Sequence, residues 1–288
     1  MIRRPPRSTL SSSSAASDVY KRQVYMTQDI GTAIERFKDY PDLNGLVYTV
    51  GNEQDYHFKV LFLILQKLGY SWAENCHHLS YGMVDLPSGK MKSREGTVVD
   101  ADELMDEVIS KASEMTKERG HLNDMSDSEK EDLYAQIGLS GLKYYLIKVD
   151  PKKRMLFDPA ESIDLNGNTG PFIQYTHARI CSLLEKAGAY DSTIAMDHNL
   201  CSQEKELIKT LLKFPHAISD AATTYSPAVL ANYCYELVKA YNYFYQNVKI
   251  LPESETQIKS NRLLISKSTA RVINLALGIL GIYAPNRM

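Results

Sequence analysis

The 288-residue sequence has few cysteines and no long hydrophobic run, and each absence limits what the protein can be. No apolar stretch approaches the roughly 20 residues that a membrane-spanning helix needs, so we expect no membrane association. The four cysteines lie far apart without a C-x-x-C pair, which favours reduced thiols and a cytoplasmic protein. The formal net charge is only −2, which neither supports nor excludes binding to RNA.

The run Cys76-His77-His78 is the sequence feature that most suggests a metal site. Adjacent residues at the entry to a strand point to opposite faces of a sheet, and no second pair of ligands follows nearby. We therefore predict no metal site.

Residues 1–23 differ in composition from the rest of the chain. They are rich in Arg, Pro and Ser, a composition that is typical of disorder. They lack the apolar stretch of a secretion signal, and Pro5-Pro6 argues against the amphipathic helix of a mitochondrial presequence. We expect a non-native or disordered leader here, with the native sequence starting abruptly at Val24.

The hydrophobic pattern after this leader predicts alternating helices and strands. A short helix is expected over residues 30–40, a buried strand over 46–50 and an amphipathic helix over 54–68. A further strand is expected over about 77–84. Such alternation indicates half of a parallel, doubly wound α/β sheet. After Asp100 the pattern predicts helices only.

A glycine-bounded loop at residues 82–99 follows the last predicted strand. It carries Lys90, Lys92 and Arg94 within five positions. Cations on such a loop suit the phosphates of a nucleotide, because charge-assisted bonds to phosphoryl oxygens are strong and a loop can tighten as negative charge develops. Taken alone, a lysine-rich loop is more often a solvated turn, so the loop by itself leaves both interpretations open.

The loop resembles the Lys-Met-Ser-Lys-Ser signature of class I aminoacyl-tRNA synthetases, and its surroundings resemble the arginyl-tRNA synthetases. The segments that carry this resemblance are 25–31 (YMTQDIG), 51–57 (GNEQDYH), 80–84 (SYGMV), 89–96 (GKMKSREG), 168–175 (NTGPFIQY) and 284–288 (APNRM). The resemblance implies the C-terminal half of a Rossmann-like parallel sheet with connecting helices at residues 24–167. It implies an all-α anticodon-binding helical bundle at 168–288.

The resemblance implies that the loop and the neighbouring motifs bind ATP, accompanied by Mg²⁺, and promote catalysis. The implied catalytic residues are Lys90, Lys92, Ser93 and Arg94. The implied ATP-binding residues are His57, Gly82, Met83, Val84 and Lys90, although His57 could equally cap the rim of the sheet. Because Ser93 stands at the fourth signature position in place of lysine, it stays open which cation stabilises the leaving pyrophosphate.

A binding site for arginine is predicted at Tyr25, Asp29 and Gln54. A guanidinium presents a planar fork of donors, so its pocket needs a carboxylate and neutral acceptors. These three side chains supply them, and the resemblance implies this role. The alternative is that Asp29 caps the helix at 30–40 and Gln54 is merely solvated.

Contacts with tRNA are predicted on the helices of the bundle and at the C-terminus. The candidates are Gln174, Tyr175, Arg179, Asn232, Tyr233, Tyr241 and Met288. Tyrosines on the aromatic-rich segment 228–246 are candidate stacking platforms for unpaired bases. Helical spacing also places Tyr241 among core positions. The alternatives are tyrosines that cover a bundle, a packed domain junction at residues 174–179 and a frayed C-terminal tail.

The family function implied by these motifs is ATP-dependent activation of arginine to arginyl-adenylate, followed by transfer to tRNA(Arg). The His-x-Gly-His motif that class I synthetases use at the start of the sheet is missing from the sequence. We therefore expect a fragment that is inactive alone. We also expect a monomer. The alternatives are a non-catalytic tRNA-binding module and another class I synthetase, such as a cysteinyl type.

Overall fold

The computed structural model describes residues 25–87, 100–119, 125–190 and 200–288. The chain divides into two compact units, one ending at Met83 and the other running from Val84 to Met288. The domain boundary predicted between residues 167 and 168 lies inside the second unit. Within the four described ranges, no helix is both long and apolar enough to cross a lipid bilayer.

The first unit contains two parallel strands and the helices that flank them. Leu46 pairs with Cys76 at one end of the strands, and Gly51 pairs with Tyr81 at the other. The predicted strand–helix–strand order is confirmed, although the first helix starts earlier than predicted. The elements are α1 (residues 25–39), β1 (Leu46–Gly51), a 3₁₀ turn (Asn52–Gln54), α2 (Asp55–Lys67), a second 3₁₀ segment (Ser71–Asn75) and β2 (Cys76–Tyr81).

Helix α2 buries one stripe of side chains against the sheet and α1. Phe58, Leu61 and Leu65 recur at helical spacing and form a buried cluster with Ala33 of α1. Gly69 adopts φ +89°, a left-handed conformation that ends the helix at little steric cost. The packing of α2 fixes where its first turn lies relative to α1.

The described residues of the second unit are helical apart from one short parallel pair of strands and the connecting loops. The predicted strand at 77–84 ends at Tyr81, and Val84 pairs instead with Met155. The expectation of helices only after Asp100 therefore missed a strand. The elements are β3 (Val84–Asp85), α3 (Ala101–Arg119), α4 (Asp127–Ile147), β4 (Met155–Leu156), α5 (Pro159–Ser162), α6 (Gly170–Ala187), α7 (Ser202–Leu212), α8 (Phe214–Thr224), α9 (Pro227–Asn247) and α10 (Thr256–Ile279).

Local capping residues set where the long helices begin. Ser126 and Glu129 form a reciprocal capping box at the start of α4. The Thr169 hydroxyl accepts from the Phe172 amide at 3.2 Å, and Pro171 occupies the first turn of α6. Helix α6 therefore begins inside the 168–175 segment that carries the family resemblance. The largest buried cluster of the second unit joins α6, α7, α9 and α10, so a helical bundle forms its core.

Candidate functional site

A cavity of about 770 Å³ opens on the first unit, and four predicted site residues line it. They are Tyr25, Asp29, Gln54 and His57. The first two come from α1, and the other two follow the carboxyl end of β1. In parallel sheets, the carboxyl ends of strands are the usual place for ligand crevices. Four residues from two of the sequence motifs, 25–31 and 51–57, thus share one cavity.

The carboxylate of Asp29 is held by an imidazole. His57 Nε2 lies 2.6 Å from Asp29 Oδ2, and the His57 side chain is only 18% exposed. Asp29 lies within α1, four residues after Tyr25, and so does not cap a helix that starts at residue 30. That alternative is wrong because α1 extends back to residue 25. Gln54 ends the 3₁₀ turn and is exposed on the cavity side of the chain.

The cavity lining is acidic and aromatic. It includes the carboxylates of Asp29 and Glu53 and the rings of Tyr25, Tyr56 and Phe58. Its described lining contains no lysine or arginine. Two carboxylates with no compensating cation favour a positively charged ligand. Glu53 and Tyr56 were not predicted from the sequence. Both flank Gln54 and Asp55 in the motif at 51–57, and this position could have indicated that they line the same cavity.

Part of the predicted ATP site lies at the same edge of the sheet. Gly82 and Met83 follow β2 directly, and β2 ends opposite Gly51 of β1. Gly82 is buried and Met83 is 42% exposed. Val84 belongs to β3 in the second unit. The predicted catalytic residues Lys90, Lys92, Ser93 and Arg94 lie outside the described residues.

Three of the predicted tRNA contacts are core residues. Gln174 and Tyr241 are fully buried, and Tyr233 is 8% exposed. The Tyr233 hydroxyl donates to the Thr210 carbonyl oxygen at 3.2 Å, and burial raises its pKa. Direct RNA contact is therefore wrong for these three side chains, because the folded bundle leaves them no surface. They stabilise helix packing instead.

The C-terminal tail is bound to the bundle and is not frayed. Gln174 Nε2 lies 2.7 Å from the Tyr283 carbonyl oxygen, and His177 Nδ1 lies 2.9 Å from that of Pro285. Met288 packs against a buried cluster formed by α3 and α4. Tyr283 itself stays 61% exposed. Burial lowers the pKa of His177, which favours the neutral imidazole beside the tail.

Tyr175 and Arg179 form a partly exposed patch on α6. The Arg179 guanidinium lies 4.8 Å from the Tyr175 ring centre and 5.5 Å from that of Tyr245. Its Nη1 donates to Asn242 Oδ1 at 3.0 Å. A guanidinium held between tyrosine rings offers charge and stacking surface together. This tyrosine–arginine patch is a part of the predicted tRNA surface that remains accessible.

Asn232 has a structural role despite its exposure. Its Nδ2 donates to the carbonyl oxygens of Ala228 at 2.8 Å and Lys148 at 3.1 Å. The second bond ties α9 to the end of α4. Its amide nitrogen is therefore occupied within the fold.

Comparisons with known proteins match two successive parts of the chain to two family models. Residues 18–158 match the family model for the class I (R) tRNA synthetase catalytic domain. Residues 173–288 match that for the DALR anticodon binding domain. An arginine–tRNA ligase of Flavobacterium psychrophilum is 59% identical over 265 residues, covering 92% of this chain and 44% of the relative. The chain belongs to the arginyl-tRNA synthetase family.

Further relatives of this family support the assignment at the level of sequence and fold. An arginine–tRNA ligase of Bacteroides thetaiotaomicron is 50% identical over 269 residues, 92% of this chain and 45% of the relative. The Thermus thermophilus arginyl-tRNA synthetase structure superposes with a TM-score of 0.76 at 30% identity, covering 86% of this chain and 42% of that chain. The chain thus spans less than half the length of these relatives. The catalytic-domain match begins at residue 18, inside the predicted leader.

Proposed function

We propose that the chain carries the arginine-binding and tRNA-binding parts of an arginine–tRNA ligase. The observation that carries this proposal is the convergence of Tyr25, Asp29 and Gln54 on one acidic cavity. A carboxylate with neutral acceptors around it matches the planar donor fork of a guanidinium. In the parent reaction, the arginine carboxylate attacks the α-phosphorus of ATP and pyrophosphate leaves. The arginyl group then passes to tRNA(Arg) and AMP is released.

The nucleotide side of the site is supported by position. Gly82 and Met83 leave the sheet at the same edge as Glu53 and Gln54, which line the cavity. A buried glycine followed by an exposed methionine suits a surface against which an adenine base lies flat. We propose that Lys90, Lys92, Ser93 and Arg94 face the triphosphate, with Mg²⁺ supplying further charge neutralisation by analogy with other triphosphate reactions.

The arginine site is tested by Asp29→Asn, with Asp39→Asn as the matched control on the same helix. Asp39 is exposed at the far end of α1 and does not line the cavity. Losing a hydrogen bond to a charged partner costs about 1.5–3 kcal/mol, so Asp29→Asn should weaken arginine binding about 10- to 100-fold. Saturation-transfer NMR, which detects millimolar binding, measures arginine and ATP separately. Equal losses for both ligands would count against the assignment.

The reaction is tested by arginine-dependent pyrophosphate exchange in the presence of tRNA(Arg). We expect no exchange from the 288 residues alone, since the His-x-Gly-His motif is not among them. We expect exchange from a chimera that adds the segment preceding the matched region in the Flavobacterium psychrophilum relative. A chimera that binds tRNA but never exchanges pyrophosphate would favour the alternative, a non-catalytic tRNA-binding module. Exchange driven by cysteine would favour the cysteinyl type.

The tRNA surface is proposed at the tyrosine–arginine patch and at exposed Tyr283. Both lie within the residues that match the anticodon-binding family model. Filter binding with tRNA(Arg) and a tRNA of another specificity tests this part independently of the arginine cavity. Affinity should fall steeply with salt, because phosphate contacts release counterions.

A further inference from the structure

We propose that His57 is a positioning residue, whose Nε2–H holds the Asp29 carboxylate in the orientation that receives the guanidinium of arginine. This inference rests on the arginine site proposed above. It differs from the role near ATP that the motif implied for His57. The observation behind it is the 2.6 Å contact between His57 Nε2 and Asp29 Oδ2, inside the cavity that both residues line.

The imidazole is well placed to act as a fixed donor. The His57 ring meets the Phe58 ring edge-on, with centroids 5.6 Å apart and an interplanar angle of 86°. Phe58 is 7% exposed and stacks on His78 at 4.4 Å. The His57 ring therefore rests against a buried aromatic column, and its only described hydrogen-bond partner through Nε2 is Asp29.

Asp29 needs such a partner because it is not buried. Its side chain is 43% exposed and can rotate about two torsions. A donor on Oδ2 removes much of this freedom before the ligand arrives. Binding is then stronger, because less conformational entropy of the Asp29 side chain is lost when the ligand binds. An ionised carboxylate has about four lone-pair sites on its two oxygens. Oδ2 can therefore accept from His57 while both oxygens still face a guanidinium.

The net charge of the His57–Asp29 pair decides whether the pair attracts a cationic ligand. With a neutral His57 that donates from Nε2, the pair keeps the full negative charge of Asp29. With Glu53 on the same cavity, the lining then carries two negative charges toward the ligand. A neutral donor thus orients Asp29 without cancelling its attraction for a cation, which a lysine or arginine in this place would do.

The test compares two His57 variants in the 288-residue chain. His57→Phe keeps a ring against Phe58 and removes the donor, whereas the amide nitrogen of His57→Gln can stand where Nε2 stands. We expect His57→Phe to weaken arginine binding about tenfold, the usual worth of a hydrogen bond to a charged group. His57→Gln should restore affinity to within about threefold. In an Asp29→Asn background, His57→Phe should add no further loss.

A second measurement does not depend on arginine. In the free protein, the Nε2 proton of His57 should exchange slowly enough to give an NMR resonance, which Asp29→Asn removes. Absence of that resonance from the unmodified chain would overturn the contact itself. Equal losses for His57→Phe and His57→Gln would show that packing matters and not the donor.

Two other outcomes separate this inference from the proposed function. If the unmodified chain and both His57 variants bind arginine equally while Asp29→Asn binds it more weakly, the positioning role fails while the arginine site stands. If the unmodified chain shows the protected proton but no arginine binding, the proposed function fails and the positioning role with it. A loss of ATP affinity alone in His57→Phe would overturn the inference in favour of a nucleotide contact.

Discussion

A buried ion-pair network in the bundle gives the sharpest stability prediction. Arg262 on α10 donates from Nε to Glu204 Oε1 at 2.8 Å and from Nη1 to Glu253 Oε2 at 2.6 Å. The Glu204 side chain is 1% exposed. Burial acts to raise the pKa of Glu204, but hydrogen bonds from Arg262 and from the Cys201 backbone outweigh it and hold the pKa below its usual value. Glu204 is therefore a buried carboxylate that depends on its partner.

Replacing Arg262 with methionine should destabilise the second unit severely. The carboxylate of Glu204 would stay buried without its cation, and breaking a buried pair in this way costs about 3–5 kcal/mol. Urea m values are about 1–3 kcal/mol/M for small proteins, so the unfolding midpoint should fall by at least about 1 M. The double variant Glu204→Met/Arg262→Met should recover most of the loss, because it removes both charges of the buried pair and leaves only Glu253, whose side chain is 20% exposed.

The assay must separate the two units, and the sequence provides the means. Trp72 is the only tryptophan and lies in the first unit, stacked on Phe37 at 4.0 Å. Its fluorescence follows that unit, whereas far-UV circular dichroism follows mainly the helices of the second. Lys239→Met, which removes an exposed pair with Glu236, is the matched control and should change stability by less than about 1 kcal/mol. Equal midpoint shifts for Arg262→Met and Lys239→Met would refute the reasoning.

Three further predictions concern packing, pH and RNA. Gly170→Ala should destabilise the bundle by about 1–3 kcal/mol, since the added Cβ would overlap Ser140. Gly278→Ala meets no atom within 4 Å and should stabilise the bundle by up to about 1 kcal/mol. Urea titration of both variants checks this. Bundle stability should fall as pH drops below about 6.5. Burial lowers the pKa of His177 in the folded state, so that the imidazole takes up a proton more readily in the unfolded chain. His177→Gln should flatten this dependence in urea titrations at two pH values. Arg179→Gln should weaken tRNA(Arg) binding severalfold without altering arginine binding, as filter binding and NMR would show.

Local patterns predicted the elements that position the candidate site. The period of the apolar residues and the turn after Val50 were sufficient to place Gln54 at the end of a strand, where the structure has it. The contact between Asp29 and His57 could not be predicted in this way. It joins residues 28 positions apart and depends on how α1 crosses the first turn of α2. The two-residue strand β4 was missed because so short a segment has no measurable periodicity.

Predictions on the bundle failed where helical spacing had to decide between core and surface. Residues 174 and 177 of α6 are polar, and residue 174 was predicted to contact RNA, with a packed domain junction at residues 174–179 as the alternative. The structure buries both under the C-terminal tail, more than 100 residues away in the chain. A polar side chain is readily buried when a backbone carbonyl completes its hydrogen bonds. The tail supplies those carbonyls, and no periodicity within α6 could have indicated it.

The hydrogen bonds that hold the C-terminal tail also fix the backbone that carries the exposed ring of Tyr283. The carbonyl oxygens of residues 281, 283 and 285 accept hydrogen bonds from Lys143, Gln174 and His177 in turn. Ile282 and Ala284, which lie between them, are buried. The backbone around Tyr283 is thus fixed from both sides while the ring remains exposed. An aromatic ring on an immobilised backbone loses little further entropy when a base stacks on it. In the tRNA-binding role proposed above, burying polar groups of α6 under the tail would contribute indirectly, by ordering the chain that carries the exposed ring.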